Sequence, residues 1–412
     1  MEKKFIINGH DVERFIIVYP TGKAIEKFLA EELSRMILDA TGKTVKAVSD
    51  EYVVVEREIR LGKTNRTTLE TEEKYTYKIA VKGDYVEAVT DTATGFDDII
   101  AELGRALSAE GDTVLSDGTE ISGKVSNPPV IPEEYDLCIL YHNILGYLPW
   151  YPAHNRAEMG LEIYKEYMPD VIGLQEVSNF YHRDTIATIN ALEELGYKEI
   201  RFPRYGYGNP IYYNAKKLML LECGYKTARP GDKGTTWSVF EIKRSGGKTF
   251  AVLNSHFAAN SNANNDPQLG DQYRADDAKI VVEVVEMTKQ RYPGIPVFTG
   301  GDYNSLLGSE AIRVVTEGGL VNVRDVLTDK TYCDFCAYNG YPKYFEEEKR
   351  YRYEEFHLRE AAGNIDFAML GGDQSGVKVI DYVLLKDRIS CTVSDHLPHL
   401  LHVSLPEPKT EE

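Results

Sequence analysis

Apolar positions in the first 128 residues follow two periodicities, and together they predict a small α/β domain. Short runs of β-branched and aromatic residues are typical of strands, and apolar residues three and four positions apart are typical of helices. The predicted elements are a strand at 14–19, a helix from 25 to 37 that ends at Gly42, a β-rich segment at 52–61, a hairpin of 74–81 and 85–90, and a helix at 97–108. No grouping of residues in this block suggests catalysis.

After residue 134, many short apolar runs alternate with a few helical patterns. The predicted strands lie at 137–144, 171–174, 211–213, 237–242, 250–254, 296–299, 365–370, 377–385 and 397–405, and the predicted helices at 157–167, 185–195, 275–289 and 309–316. Many strands with few helices predict two sheets packed face to face with helices outside. Residues 116–134 are rich in Pro and Gly and predict a linker, so we divide the chain into domains 1–128 and 129–412.

Polar residues that do not suit a protein core flank these apolar strands. They are Asn143, Glu176, His256, Asp302, Asn304, Asp366, Asp395 and His396. Each of them taken alone is also explained as a turn or capping residue. Packed strands bring their ends to a common rim, so we expect these side chains to converge there.

The same residue types suggest a site for a divalent cation. Carboxylate and amide oxygens are hard ligands of the kind that Mg²⁺ or Mn²⁺ takes. Zinc is disfavoured, because Cys333 and Cys336 have no second pair of ligands in the sequence.

In chain order these residues form a series of short motifs. The motifs are Asn143, Gln175-Glu176-Val177, Asn254-Ser255-His256, Gly301-Asp302-Tyr303-Asn304, Ile365-Asp366-Phe367 and Ser394-Asp395-His396. The series spans nearly all of residues 135–406 and resembles the endonuclease/exonuclease/phosphatase superfamily, which has the deoxyribonuclease-I-like fold. The resemblance implies an α/β (α+β) protein with a four-layer α/β/β/α sandwich beside the smaller N-terminal α/β domain. It also implies divalent-metal-dependent hydrolysis of a phosphoester.

The resemblance carries over residue by residue. It implies that Glu176 is the principal metal ligand, assisted by Asn143 and, from the opposite side, by Asp395. Asp302 and Asn304 match the pair that orients the attacking water and holds a phosphate oxygen.

Two histidines complete the implied site. His396 matches the catalytic histidine, which is hydrogen-bonded to an aspartate, and His256 matches the second histidine, which binds the phosphate or assists the leaving group. Asp366 and Asp381 both follow isoleucine and precede an aromatic residue, so either could be the partner of His396. The resemblance implies two strands between this aspartate and the motif of His396, and only Asp366 leaves room for both. We therefore choose Asp366 and expect Asp381 to face solvent.

Each of three further features has two possible interpretations. Arg274 either faces the site and contacts substrate or pairs with Asp276 or Asp277. The Tyr/Gly loop at 205–209 either borders the substrate or is an ordinary turn. The aromatic segment at 332–356 is either a substrate-facing flap or a surface loop packed on itself.

The first block has a resemblance of its own. Its order of a strand, a helix ending at Thr41-Gly42, the segment 58–66, a hairpin and a second helix resembles the small α/β domain that precedes the catalytic barrel of β-hexosaminidases and α-glucuronidases. The resemblance covers about the first 110 residues. It implies at most a structural role or a contact with carbohydrate.

Charge narrows the choice of substrate. The chain has 47 Lys and Arg against 65 Asp and Glu, a formal net charge of −18, and both predicted domains are acidic. An acidic surface repels polyanions, so nucleic acid is a disfavoured although not excluded partner. A small phosphodiester or phosphomonoester, such as a sugar or lipid-headgroup phosphate, fits better. The alternatives are a metal-dependent nuclease and a non-catalytic binding protein that keeps the fold.

Composition also bears on location. No apolar run approaches the ~20 residues that a membrane span needs, and the first residues lack the apolar region of a signal peptide. The 5 cysteines are scattered and suit a reducing compartment. The sequence therefore predicts a cytoplasmic protein without a membrane span.

Overall fold

The computed structural model describes residues 3–147, 156–177, 190–202, 209–229, 233–243, 246–338, 340, 344–345, 350–351 and 359–407. The chain divides into two compact units. Unit 1 comprises Met1–Val130, Glu162–Tyr167 and Asp387–Ile389, and unit 2 comprises Ile131–Leu161, Met168–Lys386 and Ser390–Glu412. No helix in these ranges is both long and apolar enough to cross a membrane.

Unit 1 is built on a six-stranded sheet of order β4-β3-β5-β7-β6-β9, and a smaller sheet has the order β2-β1-β8. The strands are β1 (Phe5–Ile7), β2 (His10–Asp11), β3 (Ile16–Tyr19), β4 (Lys46–Ser49), β5 (Glu58–Leu61), β6 (Thr76–Lys82), β7 (Tyr85–Thr90), β8 (Thr113–Leu115) and β9 (Glu120–Lys124). Helices α1 (Ala24–Thr41) and α2 (Gly95–Ser108) pack on the larger sheet. The predicted hairpin and both predicted helices are confirmed, including the end of α1 at Gly42.

The linker prediction for 116–134 is wrong in part. Strand β9 lies inside that range and pairs antiparallel with β6, where Ile79 is opposite Ile121. Partly buried and exposed positions alternate along β9, as is usual for an edge strand. Its short and mostly polar sequence gave no apolar run, so the pattern did not reveal it.

Unit 2 contains two six-stranded sheets, which we call sheet I (β12-β13-β11-β10-β23-β22) and sheet II (β14-β15-β16-β17-β21-β18). The strands are β10 (Leu137–Asn143), β11 (Val171–Gln175), β12 (Tyr197–Ile200), β13 (Ile211–Asn214), β14 (Leu218–Lys226), β15 (Thr235–Ile242), β16 (Thr249–His256), β17 (Pro296–Asp302), β18 (Val321–Asn322), β21 (Asp366–Gly372), β22 (Lys378–Leu384) and β23 (His399–Ser404), with a separate pair β19 (Tyr344–Phe345) and β20 (Arg350–Tyr351). The nine predicted strands of this unit are all present.

Sheets I and II pack face to face, as predicted. Tyr141 and Val171 of sheet I and Phe250 and Phe298 of sheet II belong to one buried apolar cluster. Contacts between β10 and β17 and between β11 and β16 join the two sheets. All seven positions of β10 are buried, as expected for a central strand covered on both faces.

Helices connect the parallel strands of unit 2 and pack on sheet II. Helix α3 (Arg156–Tyr167) connects the parallel strands β10 and β11, and α4 (Pro267–Arg291) connects the parallel strands β16 and β17. Because the inner faces are occupied, such crossovers must run outside. Helices α4 and α5 (Glu310–Glu317) share a second apolar cluster with sheet II. Two shorter helices are α6 (Val323–Val326) and α7 (Arg388–Val393), and residues 190–194 are also helical.

Several bounds differ from the sequence prediction. Helix α4 begins before the predicted residue 275, because Asp266 caps its first turn by accepting hydrogen bonds from the Gln268 and Leu269 amides. Strand β14 was not predicted, and a register shift between Leu220 and Glu222 interrupts its alternation. The helix predicted at 185–195 begins outside the described residues.

Candidate functional site

Strand register brings the motif residues to one rim of the sandwich. In sheet II, β16 and β17 are parallel with His256 opposite Asp302, and the antiparallel β21 places Asp366 opposite Asp302. In sheet I, the parallel β10 and β11 place Asn143 opposite Gln175. The carboxyl ends of four strands and the amino end of β21 therefore meet at the same edge.

A cluster of potential metal ligands lies at this rim. Ligand atoms of Glu176, His256 and Asp302 all lie within 4.8 Å of one another. The amide of Asn143 joins two of these residues, because its Nδ2 donates to Glu176 Oε1 at 3.3 Å and to Asp302 Oδ2 at 3.0 Å. The two carboxylates offer the oxygen ligands that Mg²⁺ or Mn²⁺ prefers, and the imidazole of His256 places a nitrogen atom beside them. The residues therefore fit the metal that the sequence implies.

Asp302 is the most deeply embedded carboxylate of the cluster, with an exposed fraction of 2%. Burial raises the pKa of Asp302, but the neighbouring His256, His396 and Lys233 hold it well below its usual range. The distance from His256 Nε2 to Asp302 Oδ2 is 3.3 Å. Asp302 is thus an anion at neutral pH.

His256 is fully buried between this carboxylate and a lysine. Lys233 Nζ is hydrogen-bonded to His256 Nε2. Burial and the charge of Lys233 lower the pKa of His256, against the opposing effect of Asp302 and Glu176. Sequence reasoning missed Lys233. Its position just before β15, which pairs with the strand that ends at His256, could have indicated that it lies near the site.

His396 is paired with Asp366, as predicted, and not with Asp381. His396 Nδ1 donates to Asp366 Oδ2 at 2.9 Å, whereas Asp381 Oδ1 accepts from His402 Nδ1 at 2.6 Å. The expectation that Asp381 faces solvent is wrong, because its side chain is only 16% exposed and binds a buried histidine on the neighbouring strand.

Three carboxylates surround the imidazole of His396. Nε2 lies 3.9 Å from Asp302 Oδ2 and 4.0 Å from Asp395 Oδ1. Burial alone would lower the pKa of His396, but Asp366, Asp302 and Asp395 together raise it well above its usual value. His396 is therefore an imidazolium that holds a proton on Nε2 toward the rim.

The backbone at the rim adopts conformations that side chains usually avoid. Glu176 has φ 59° and Asn304 has φ 47°, in the left-handed region that costs a residue other than Gly about 1 kcal/mol or more. The backbone amide of Asn304 donates to Asp302 Oδ1 at 2.8 Å. The side-chain Nδ2 of Asn304 donates to the Phe257 carbonyl at 3.1 Å. Just before Asp302, Gly301 has φ 123°, and a Cβ there would lie 2.2 Å from the Ser255 carbonyl.

Arg274 is the predicted residue that the structure does not bring into contact with the cluster. Its guanidinium donates to Asp271 at 2.6 Å, to Asn260 at 2.9 Å and to the Ala258 carbonyl at 3.3 Å. The alternative prediction, that Arg274 pairs with Asp276 or Asp277, is also wrong. Asp276 pairs with Lys279, and Asp277 pairs with Arg229.

Two further residues that sequence reasoning missed lie beside His396. His142 Nε2 donates to the His396 carbonyl at 3.1 Å, and burial is the main cause that lowers the pKa of His142 to about 3. The ring of Tyr338 lies 4.8 Å from that of His396, and the backbones of the two residues form a β-bridge. Thus one end of the aromatic segment borders the site, while most of that segment and residues 205–208 lie outside the described part of the chain.

Comparison with known proteins follows this geometry. The sequence model of the Endonuclease/Exonuclease/phosphatase family matches residues 161–400, more than half of the chain. A search of curated proteins finds no significant match.

Three similar chains are found among the solved structures. The catalytic domain of human Nocturnin with bound sulfate is 18% identical over 66% of this chain and 94% of that one, with a TM-score of 0.48. A mannosyl-6-phosphatase from Bacteroides thetaiotaomicron is 20% identical over 65% and 99%, with a TM-score of 0.46. D. rerio TDP2, complexed with a single-stranded DNA product, is 16% identical over 65% and 98%, with a TM-score of 0.48.

Proposed function

Because the chain belongs to the endonuclease/exonuclease/phosphatase family, we propose that it hydrolyses a phosphoester bond with the help of Mg²⁺ or Mn²⁺. The observation that carries this proposal is the cluster of Glu176, His256 and Asp302 beside the charged His396. Glu176 would hold the cation, with Asn143 and Asp395 as further ligands. The bound ion would neutralise negative charge that develops on the phosphoryl oxygens.

The protein's own groups have distinct tasks in this proposal. Asp302 stays ionised, and the backbone amide of Asn304 fixes the orientation of its carboxylate. Asp302 therefore orients the attacking water and accepts a proton from that water. As the water oxygen bonds to phosphorus, the bond from phosphorus to the ester oxygen breaks, and His396 donates its Nε2 proton to that leaving oxygen. Asp366 keeps His396 protonated and fixes its ring. His256 and Asn304 complete the contacts with the phosphate.

The proposed substrate is a small phosphoester, such as a sugar or lipid-headgroup phosphate, and not bulk nucleic acid. The formal charge of −18 supports this choice, because long polyanions are repelled by an acidic protein.

A substrate panel tests the proposal. We expect hydrolysis of chromogenic phosphomonoesters or phosphodiesters with Mg²⁺ or Mn²⁺, and its loss with chelator. Faster hydrolysis of DNA or RNA than of every small ester would favour the nuclease alternative. No hydrolysis of any member, with metal bound, would favour the non-catalytic alternative.

Unit 1 is proposed to support recognition and not chemistry. Two of its buried acids are paired with basic residues: Glu58 binds Arg60 and Arg66, and Glu87 binds Arg60 and Lys82. These ion pairs leave the two carboxylates unavailable to a metal. The resemblance to a glycosidase-associated domain supports a contact with carbohydrate, and a glycan array probed with the full chain tests it. If the full chain binds none of the glycans, the role of unit 1 is structural.

A further inference from the structure

Lys233 is held beside the site by strand pairing. Thr235 of β15 is opposite Ser255 of β16, so the chain just before β15 passes His256. The His256 amide donates to the Gly234 carbonyl at 3.1 Å, which anchors Lys233 one residue away. A Cβ at Gly234 would lie 2.6 Å from the Lys226 carbonyl, so the close approach of this backbone requires glycine.

The Lys233 ammonium lies within the acidic cluster. Nζ is hydrogen-bonded to His256 Nε2, the atom that also faces Asp302 and Glu176. Its charge reaches both neighbours, since it contributes to the lowered pKa of His256 and of Asp302. A cation from the chain itself therefore stands at the place where the proposed metal and phosphate meet.

The geometry points to Lys233 as a phosphate-binding residue that fits the site to a dianionic phosphomonoester. This inference rests on the proposed function. The carboxylates of Glu176, Asp302 and Asp395 repel a phosphate, and an ammonium on a flexible stem can turn from His256 to a phosphoryl oxygen. A monoester dianion carries one more negative charge at the phosphate than a diester, so it gains more from that ammonium.

A competing role for Lys233 is to neutralise the carboxylates until a metal ion binds. The two roles differ in what removal of the ammonium does. A phosphate ligand lowers phosphate affinity and monoester turnover when it is removed. A mere counter-ion leaves both unchanged at saturating metal and tightens metal binding when it is removed.

The test compares Lys233→Met with Lys226→Met in the full chain. Lys226 is a matched control, because it ends β14 on the same hairpin and its ammonium pairs with Glu283. The readouts are kcat/KM for an aryl phosphomonoester and an aryl phosphodiester at saturating Mg²⁺, calorimetric binding of inorganic phosphate, metal titration and thermal melting. Lys233→Arg, which keeps the charge, is a second control, and Lys233→Gln, which removes the charge but stays polar, replaces the Met variant if that variant does not fold.

For Lys233→Met we expect a loss of about 100-fold on the monoester, of about 10-fold or less on the diester, and at least about 10-fold weaker phosphate binding. Lys226→Met should change none of these, and Lys233→Arg should keep most of the monoester preference. Equal losses on both esters, unchanged phosphate binding, or unchanged turnover with tighter metal binding would overturn the inference. If the wild-type protein hydrolyses neither ester, the proposed function fails, and the phosphate titration alone decides whether Lys233 binds phosphate.

Discussion

Asp366 and His396 join the two sheets of unit 2 through a hydrogen bond of 2.9 Å between Oδ2 and Nδ1. Asp366 opens β21 of sheet II, and His396 lies just before β23 of sheet I. Both side chains are almost completely buried. The pair therefore links the two sheets at the rim and also sets the charge of the imidazole.

Replacing each of the two histidine-bound aspartates should give opposite results. Asp366→Asn should lower kcat about 100-fold or more, because His396 loses the carboxylate that keeps it charged. Asp381→Asn should leave kcat near the wild-type value and lower the free energy of unfolding by about 1–3 kcal/mol, because buried His402 loses its ionic acceptor. Steady-state kinetics and urea unfolding of both variants provide the measurements. Loss of turnover in Asp381→Asn alone would mean that the roles are reversed.

Glu176→Gln should lower metal-dependent turnover about 100-fold or more. The substitution keeps the shape of the side chain but removes the partly exposed carboxylate of the cluster, so both metal affinity and metal polarisation fall. Turnover against Mg²⁺ concentration, with a thermal melt, checks this. Glu317→Gln is the control, because Glu317 pairs with exposed Arg313 on α5. Wild-type turnover in Glu176→Gln, persisting with chelator, would contradict the metal assignment.

His142 should make the protein less stable in mild acid. Its pKa is about 3 in the folded protein, against about 6.5 for an unfolded histidine. A lowered pKa means that the stabilisation is present above pH 6.5 and is lost as the pH falls toward 3, because only the unfolded chain takes up the proton. Each pH unit in that window costs about 1.4 kcal/mol.

His142→Gln removes this titration and keeps an amide that can donate to the His396 carbonyl. Between pH 7 and pH 5 the free energy of unfolding should therefore fall by about 2 kcal/mol less in the variant than in the wild type. Urea unfolding followed by tryptophan fluorescence, with chelator present, measures the difference. Identical slopes in the two proteins would show that His142 does not titrate on unfolding.

Binding to duplex DNA should be weak. The formal charge of −18 and the carboxylates at the rim let few DNA phosphates be neutralised, so few counterions are released. Fluorescence anisotropy with a labelled duplex between ~50 and ~200 mM salt should give low affinity with a shallow salt dependence. A tight complex that weakens steeply with salt would reveal a basic surface that outweighs the net charge.

Much of the fold and of the site follows from local pattern. Each strand of unit 2 that ends in a polar motif was predictable, because an apolar run followed by a turn-forming polar residue is a property of adjacent positions. Glu176, His256 and Asp302 could be named for this reason. Elements with weak local signals, such as β9 with its polar sequence and β14 with its interrupted alternation, could not.

The sequence by itself determined which residues stand at strand ends and which chemistry their side chains offer, because both depend on neighbours in the chain. Only the tertiary structure decided which of them touch. Strand pairing and packing place Asp366 against His396 and Asp381 against His402, and they bring Lys233 next to His256 and His142 next to His396. Such contacts depend on how strands far apart in sequence align and pack, and no local pattern records that alignment.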